Sequence, residues 1–364
     1  METYPIPMVP GPTSVADEVL QAYLTNYGSA DLEPEYYELY EETEKLIQEL
    51  LRTRNRVALM SGEAMVGLWA GLKSCLHPGD KVVAVATGVF GYGIAEMAAS
   101  VGATVEVAGF SYDEAADPNR VEDVVRRIKP KMVTAVHCET PSGTLNPIGE
   151  IGEIVRRHRV QLFYVDAVSS AAGAPLFVDD WGIDLCLVGT QKALSALPDL
   201  AIVTVSEKAW EAVEAIGYEG YDALSPWREA LSKRWFPYTP NWHALAALNR
   251  AVKRVLDEGL EAVWQRHRVT AERCREGVRQ LGLELYPRSE EIASPTVTAV
   301  KVPEGIAWDE LDRALRRRGL VVGGSLGPLA GLVFRLGHMG RQATPALVEK
   351  ALLVLEEALA ELRR

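Results

Sequence analysis

From about residue 40 onward, short apolar runs alternate with amphipathic stretches of helical length. That rhythm is the grammar of βα units and a mostly parallel sheet, and it excludes all-helical and all-β folds. The spacing predicts strands at Val57 to Met60, Lys81 to Ala86, Thr104 to Ala108, Met132 to His137, Gln161 to Val165, Asp184 to Val188 and Leu200 to Val205. Between them, Tyr40 to Leu51 and Val121 to Ile128 carry apolar residues at spacings of three and four with charges opposite, as surface helices do. After Pro240 the grammar changes. Two long helices are expected, Trp242 to Leu256 and Leu260 to Leu281, the second stopped by Gly282. A strand-like Ser294 to Val302, a helix at Trp308 to Arg318, a short strand at Leu320 to Val322 and a final helix from Pro345 follow. The expected organisation is an N-terminal arm (1–13), a large ligand-binding domain (14–250) and a smaller α+β C-terminal domain (251–364). A length of 364 residues suits two domains.

Composition narrows the function classes. With 48% hydrophobic and 24% charged residues, the chain can bury a sizeable core. A formal charge of -12 opposes any general affinity for phosphate backbones or anionic membranes, so a nucleic-acid partner is not expected. No apolar stretch reaches the eighteen residues a membrane span needs, and the first residues lack the basic and apolar regions of a secretion signal. The four cysteines (Cys75, Cys138, Cys186, Cys274) are scattered through apolar stretches without metal-ligand spacing. A reduced, cytoplasmic location and no metal are the expectations.

In open parallel sheets, ligands bind beyond the carboxyl ends of the strands, so polar residues that follow apolar runs come first. One such run ends in Asp166. Another, 26 positions on, leads through Gly189-Thr-Gln to Lys192, and the first strand ends in Ser61-Gly-Glu-Ala64 before a helix. A lysine followed by Ala193-Leu194 is partly desolvated, which frees its amine to attack a carbonyl, the chemistry of Schiff bases. Taken alone, Lys192 reads as a solvated loop charge and Asp166 as a helix cap. The pair at neighbouring strand ends favours catalysis.

The chain resembles the class V, fold-type-I pyridoxal-phosphate aminotransferases, in the alanine-glyoxylate group, over nearly its whole length. The resemblance rests on Pro10-Gly-Pro-Thr13, Pro78-Gly-Asp80, Gly88-Val-Phe-Gly91, His137-Cys-Glu-Thr-Pro-Ser-Gly143, Val165-Asp-Ala-Val-Ser-Ser170, Thr190-Gln-Lys-Ala-Leu194 and Arg335-Leu-Gly-His-Met-Gly340 in that order. It implies an α/β fold with a seven-stranded, mostly parallel sheet between helices. It also implies that Lys192 bonds covalently to the cofactor and moves the proton between the two carbons of the transamination. Asp166 would hold the pyridine nitrogen protonated, and Phe90 would stack on the ring; read from the residues alone, Phe90 is nearly as well explained as core. Thr140, Ser142 and Gln191 match cofactor-contacting positions. Arg335 would clamp the substrate carboxylate, and Thr239 would reach the partner's site in a homodimer or a tetramer built from one.

One position departs from the group. Small residues and hydroxyls usually open the helix after the first strand, where backbone amides take the cofactor phosphate. This chain has Ser61-Gly-Glu-Ala-Met65, which puts Glu63, Ala64 and Met65 at that corner. At ~4 Å and an effective dielectric near 20, each unit pair of like charges costs roughly 4 kcal/mol. A hydroxyl in place of the phosphate would donate to Glu63 instead. Glutamate here resembles the pyridoxamine-pyruvate branch of the family, for which unphosphorylated pyridoxamine and pyridoxal are substrates. Tyr112 to Pro118, Phe236 to Pro240 and Ile292 to Thr296 also resemble that branch. A second arginine of that branch is replaced by Gly323-Gly-Ser-Leu-Gly-Pro328. Glu63 can equally be read as a helix-dipole carboxylate turned to solvent, leaving the amides free for phosphate.

Two functions therefore stand. One is pyridoxamine-pyruvate transamination, which turns pyridoxamine and pyruvate into pyridoxal and L-alanine. The other is ordinary alanine- or serine-glyoxylate (or pyruvate) transamination with bound pyridoxal 5'-phosphate. A lyase of the same fold is third, weakened for desulfuration by the lack of a cysteine between Gly323 and Gly331. A nicotinamide-dependent dehydrogenase is weaker still, because no GxGxxG turn follows the first strand.

Overall fold

The computed structural model describes residues 4–363, so the first three residues of the expected arm lie outside it. Seven strands form the central sheet in the order Arg56–Ser61, Leu200–Val205, Leu185–Gly189, Leu162–Asp166, Met132–Val136, Lys81–Ala86 and Thr104–Gly109. Six of them point the same way. Leu200–Val205 is antiparallel to both its neighbours, pairing Ala201 with Gly189 on one side and Leu200 with Ser61 on the other. Every residue of Met132–Val136, Leu162–Asp166, Leu185–Gly189 and Leu200–Val205 is buried, as strands covered on both faces by helices must be.

Helix Ala64–Cys75 packs on the strands at one end of the sheet and Val89–Ser100 on Lys81–Ala86 at the other. Gly67 and Gly71 make the first of these contacts possible: a Cβ at Gly67 would come within 2.9 Å of Val203, and one at Gly71 within 2.9 Å of Tyr164. The chain's alternation was thus a faithful guide to the large sheet.

A second sheet holds Ile6–Met8, Leu320–Gly324, Val333–Gly337 and Val297–Lys301 in that order. Residues 6–8 of the expected arm are therefore strand, parallel to Leu320–Val322. Helices Leu260–Gln280, Trp308–Arg317 and Pro345–Leu362 cover this sheet around a separate apolar cluster that includes Cys274, Val278, Phe334 and Leu355. Helix Trp242–Glu258 belongs to the large core, and Leu260–Gln280 runs from one core to the other, with Leu260 and Val263 in the first and Cys274 and Val278 in the second. Gly259, at φ +87°, makes the break between the two helices. All four cysteines are buried free thiols, and no helix among the described residues is long and apolar enough to cross a membrane.

Candidate active site

Three strand ends and one helix start meet in a cavity of about 130 Å³. Leu162–Asp166 delivers Asp166 as its last residue, and Leu185–Gly189 leads through Thr190 and Gln191 to Lys192. Arg56–Ser61 turns through Gly62, at φ +128°, into Glu63 and helix Ala64–Cys75. Lys192, Asp166, Glu63, Ala64, Met65, Phe90 and Gln191 all line the cavity, so seven of the site residues expected from the sequence converge. Cys138, Val168, Ser169 and Leu68 complete its wall.

Lys192 is held from the N-terminal side. Its ammonium donates to the Pro10 carbonyl at 2.6 Å, while Thr13 Oγ1 donates to the Lys192 carbonyl at 2.9 Å and Thr13 N to the Gln191 carbonyl at 3.0 Å. A Cβ at Gly11 would lie 2.5 Å from Lys192 Cδ, so glycine there lets the chain pass across the lysine. Burial, helped by the Arg335 charge, lowers the amine to about 8 against the opposing pull of Cys138, Asp166 and Glu63. An amine that is neutral in part near pH 8 can attack a carbonyl.

Asp166 is 5% exposed. Burial raises its carboxyl to about 6; the Val168 amide, donating to Oδ1 at 2.9 Å, and the Lys192 charge lower it, and Glu63 adds a smaller upward push. A buried carboxylate of this kind strongly favours a cation as partner, which a protonated ring nitrogen supplies.

Glu63 faces into the site rather than to solvent. It is the N-cap of helix Ala64–Cys75, with Oε1 accepting from the Met65 amide at 2.8 Å and Oε2 from Gln191 Nε2 at 3.1 Å. The amide that an anion would use at this helix end is thus already taken by a carboxylate of the chain itself. Gln191 Oε1 is buried without a hydrogen-bond partner, and the acceptors of the Glu63 carboxylate fix which end of the amide faces them.

The remaining expected residues stand around the cavity rather than in its wall. Thr140 Oγ1 donates to Ser169 Oγ, which does line it. The buried Ser142 hydroxyl is occupied by the Glu139 carbonyl at 3.3 Å and Thr144 Oγ1 at 2.9 Å, within the hairpin that joins Cys138–Glu139 to Thr144–Leu145. Thr239 is exposed and donates to Asp31 at 3.3 Å. Arg335 sits in Val333–Gly337, is 8% exposed, and donates from Nε and Nη2 to the Gly324 carbonyl, at 2.9 Å from Nε. Burial lowers its guanidinium to about 10. Its charge helps to push the Lys192 amine down. Glu139 did not emerge from the sequence as a site residue, yet it is fully buried and accepts from the Phe90 and Gly91 amides.

The ring-binding part of this site suits pyridoxal phosphate, the cofactor implied by the family described next: an amine, a buried carboxylate and an aromatic ring surround one small cavity. The aminotransferase class-V family model matches residues 10–331. Pyridoxamine–pyruvate transaminase of Mesorhizobium japonicum is 36% identical, covering 97% of this chain and 91% of that protein. Alanine–glyoxylate aminotransferase of Oryctolagus cuniculus is 31% identical, covering 96% and 91%. Among solved structures, pyridoxamine-pyruvate aminotransferase from Mesorhizobium loti superposes with a TM-score of 0.96 at 34% identity, over 100% of this chain and 94% of that one. Alanine–glyoxylate aminotransferase from Nostoc sp. reaches 0.93 at 29% identity, over 99% and 96%. The chain belongs to the class-V aminotransferases.

Proposed function

We propose that this transaminase takes unphosphorylated pyridoxamine and pyridoxal as substrates and exchanges their amino group with a small 2-oxo acid such as pyruvate, giving L-alanine. The observation that carries the reading is the Glu63 carboxylate on the Met65 amide, at the helix end where the phosphate of a resident cofactor is expected. A phosphate dianion there meets a like charge, whereas a 5'-hydroxyl can donate to it. The similarity to pyridoxamine–pyruvate transaminase supports the same reading.

When bound, the vitamin supplies a carbonyl or amine for covalent exchange and a ring that accepts electron density. The chain supplies the rest. Lys192 would hold the carbonyl carbon and move the proton; Asp166 would keep the ring nitrogen protonated; Phe90 would cover the ring face; Arg335 would offer a planar fork to the oxo-acid carboxylate. We take the working unit to be a cytoplasmic homodimer in which Thr239 contributes to the partner's site. Exposed Trp235, Tyr221, Leu24 and Leu32 supply apolar surface of the kind such an interface buries.

A second reading is an alanine- or serine-glyoxylate transaminase with resident pyridoxal phosphate. The Gly323–Pro328 loop, which lacks a second arginine, favours it, as do the alanine–glyoxylate relatives. The purified protein decides between them. Conversion of pyridoxamine and pyruvate into pyridoxal and alanine, by protein without a tightly held chromophore, is the expected result; stoichiometric pyridoxal phosphate in the isolated protein overturns it.

A further inference from the structure

The geometry points to Glu139 as the residue that positions Phe90 against the ring of the bound vitamin. Helix Val89–Ser100 begins at Gly88, which has no side chain with which to cap it. Its cap comes from 49 residues away: Glu139 Oε2 accepts from the Phe90 amide at 3.2 Å and Oε1 from the Gly91 amide at 2.6 Å. The carboxylate reaches these amides because the facing residue is glycine, since a Cβ at Gly88 would lie 2.8 Å from both Cδ and Oε2 of Glu139. Phe90 lines the cavity, so the backbone that aims its ring is pinned by these two bonds.

The support behind Glu139 is rigid. The hairpin that carries it is tied to the smaller sheet through Ser294 N, which donates to the Gly143 carbonyl at 2.8 Å, and Ser325 Oγ, which donates to the Pro141 carbonyl at 2.8 Å. The strand that begins three residues after Ser294, Val297–Lys301, pairs with Arg335 through Ala299. The mount of the stacking ring and the mount of the carboxylate clamp are therefore one connected structure. Glu139 touches no reacting atom; it acts through Phe90. Burial lifts its carboxyl to about 7 against the pull of the two amides, with Asp166 adding a smaller lift, so the charged form that accepts both bonds costs something to maintain.

The test is the dissociation constant of pyridoxal and, separately, of pyridoxal phosphate, read by absorbance titration in wild type and in Glu139→Gln, Gly88→Ala, Phe90→Leu and Phe90→Leu/Glu139→Gln. A hydrogen bond to a buried charge is worth about ten- to hundredfold, so Glu139→Gln should weaken both ligands by that factor. Gly88→Ala, which drives the carboxylate off the amides from the other side, should weaken them in the same sense. In the Phe90→Leu background, Glu139→Gln should change binding less than about twofold, because the effect is routed through the ring. Wild-type affinities in Glu139→Gln and Gly88→Ala, or an undiminished effect in the Phe90→Leu background, overturn the proposal. If Glu139→Gln does not fold, Gly88→Ala with and without Phe90→Leu decides by the same criterion. A merely structural role lowers the active fraction and hence kcat while leaving both constants alone. Both ligands carry the same ring, so the proposal reads their common rise, whereas the unphosphorylated-vitamin reading is tested by their ratio.

Discussion

Replacing Glu63 by glutamine removes one charge and keeps the helix capped, since the amide oxygen can still accept from Met65 N, and Gln191 can turn its unpartnered Oε1 to accept from the new amide nitrogen. The expected magnitude follows from the site. Glu63 Oε1 is 2.8 Å from the Met65 amide, so an anion bound at the same helix end lies ~4 Å from the carboxylate. Each unit pair at that distance costs roughly 4 kcal/mol at an effective dielectric of 20. Glu63 is half-buried, and screening by water reduces this to ~2 kcal/mol. A phosphomonoester carries about 1.5 to 2 negative charges near neutral pH, so the total is about 3–4 kcal/mol, or roughly 10²–10³ in affinity. The assay is a titration of apo-protein with pyridoxal and with pyridoxal phosphate. Wild type should prefer pyridoxal, and Glu63→Gln should move the ratio of the two constants toward pyridoxal phosphate by that factor. An unchanged ratio would refute the reasoning, because it would mean that the phosphate binds where the Glu63 charge does not reach.

Further outcomes concern the chemistry itself. Lys192→Ala should lower kcat at least 10²–10⁴-fold while the melting temperature stays within a few degrees, since the lost group both captures the carbonyl and moves the proton. The pH profile of kcat/KM should rise twice. Asp166, at about 6, must be ionised to hold a ring cation, and Lys192, at about 8, must be neutral to attack, so activity is lost as pH falls through each value. Arg335→Lys should raise KM for the oxo acid by about tenfold or more with a smaller change in kcat, because a point charge replaces a planar fork; equal loss in KM for the vitamin would show that the arginine serves the ring instead.

The parts of the site legible in the sequence are those set by local order. Asp166 and Lys192 follow apolar runs that read as strands, and a parallel sheet must bring neighbouring strand ends together. What resisted reading was long-range. Leu200–Val205 is as apolar as the parallel strands of the sheet, and nothing local marks it as antiparallel. Ile6–Met8 gains its partner more than 300 residues away. Val333–Gly337 is short with an arginine at its centre, and only its pairing with Val297–Lys301 and Gly323–Gly324 makes it a strand. Arg335 was accessible through family resemblance alone. Glu139 lies within the stretch from His137 to Gly143, but nothing local assigns it a role, because its partner amides lie across the fold at Phe90 and Gly91. The direction of the Glu63 side chain depends on Gln191, 128 positions away.

These placements combine into one electrostatic argument. Three carboxylates, Glu63, Asp166 and Glu139, stand in or against a cavity of about 130 Å³ whose wall holds one cation, Lys192, with the Arg335 charge acting on that lysine from outside the wall. Each carboxylate already has a use: Asp166 awaits a ring cation, Glu139 is spent on two backbone amides, and Glu63 is spent on Met65 and Gln191. The two cations are equally committed. On the proposed reading Arg335 takes the substrate carboxylate, and Lys192 attacks when neutral. A phosphate would therefore enter a site whose positive charge is assigned elsewhere and whose helix amide is occupied, at the corner where a negative charge is already fixed. A neutral hydroxymethyl group adds no charge and brings a donor to Glu63. On the proposed reading, the arrangement that serves transamination on the ring also selects the ring without its phosphate, which lets the vitamin depart as product.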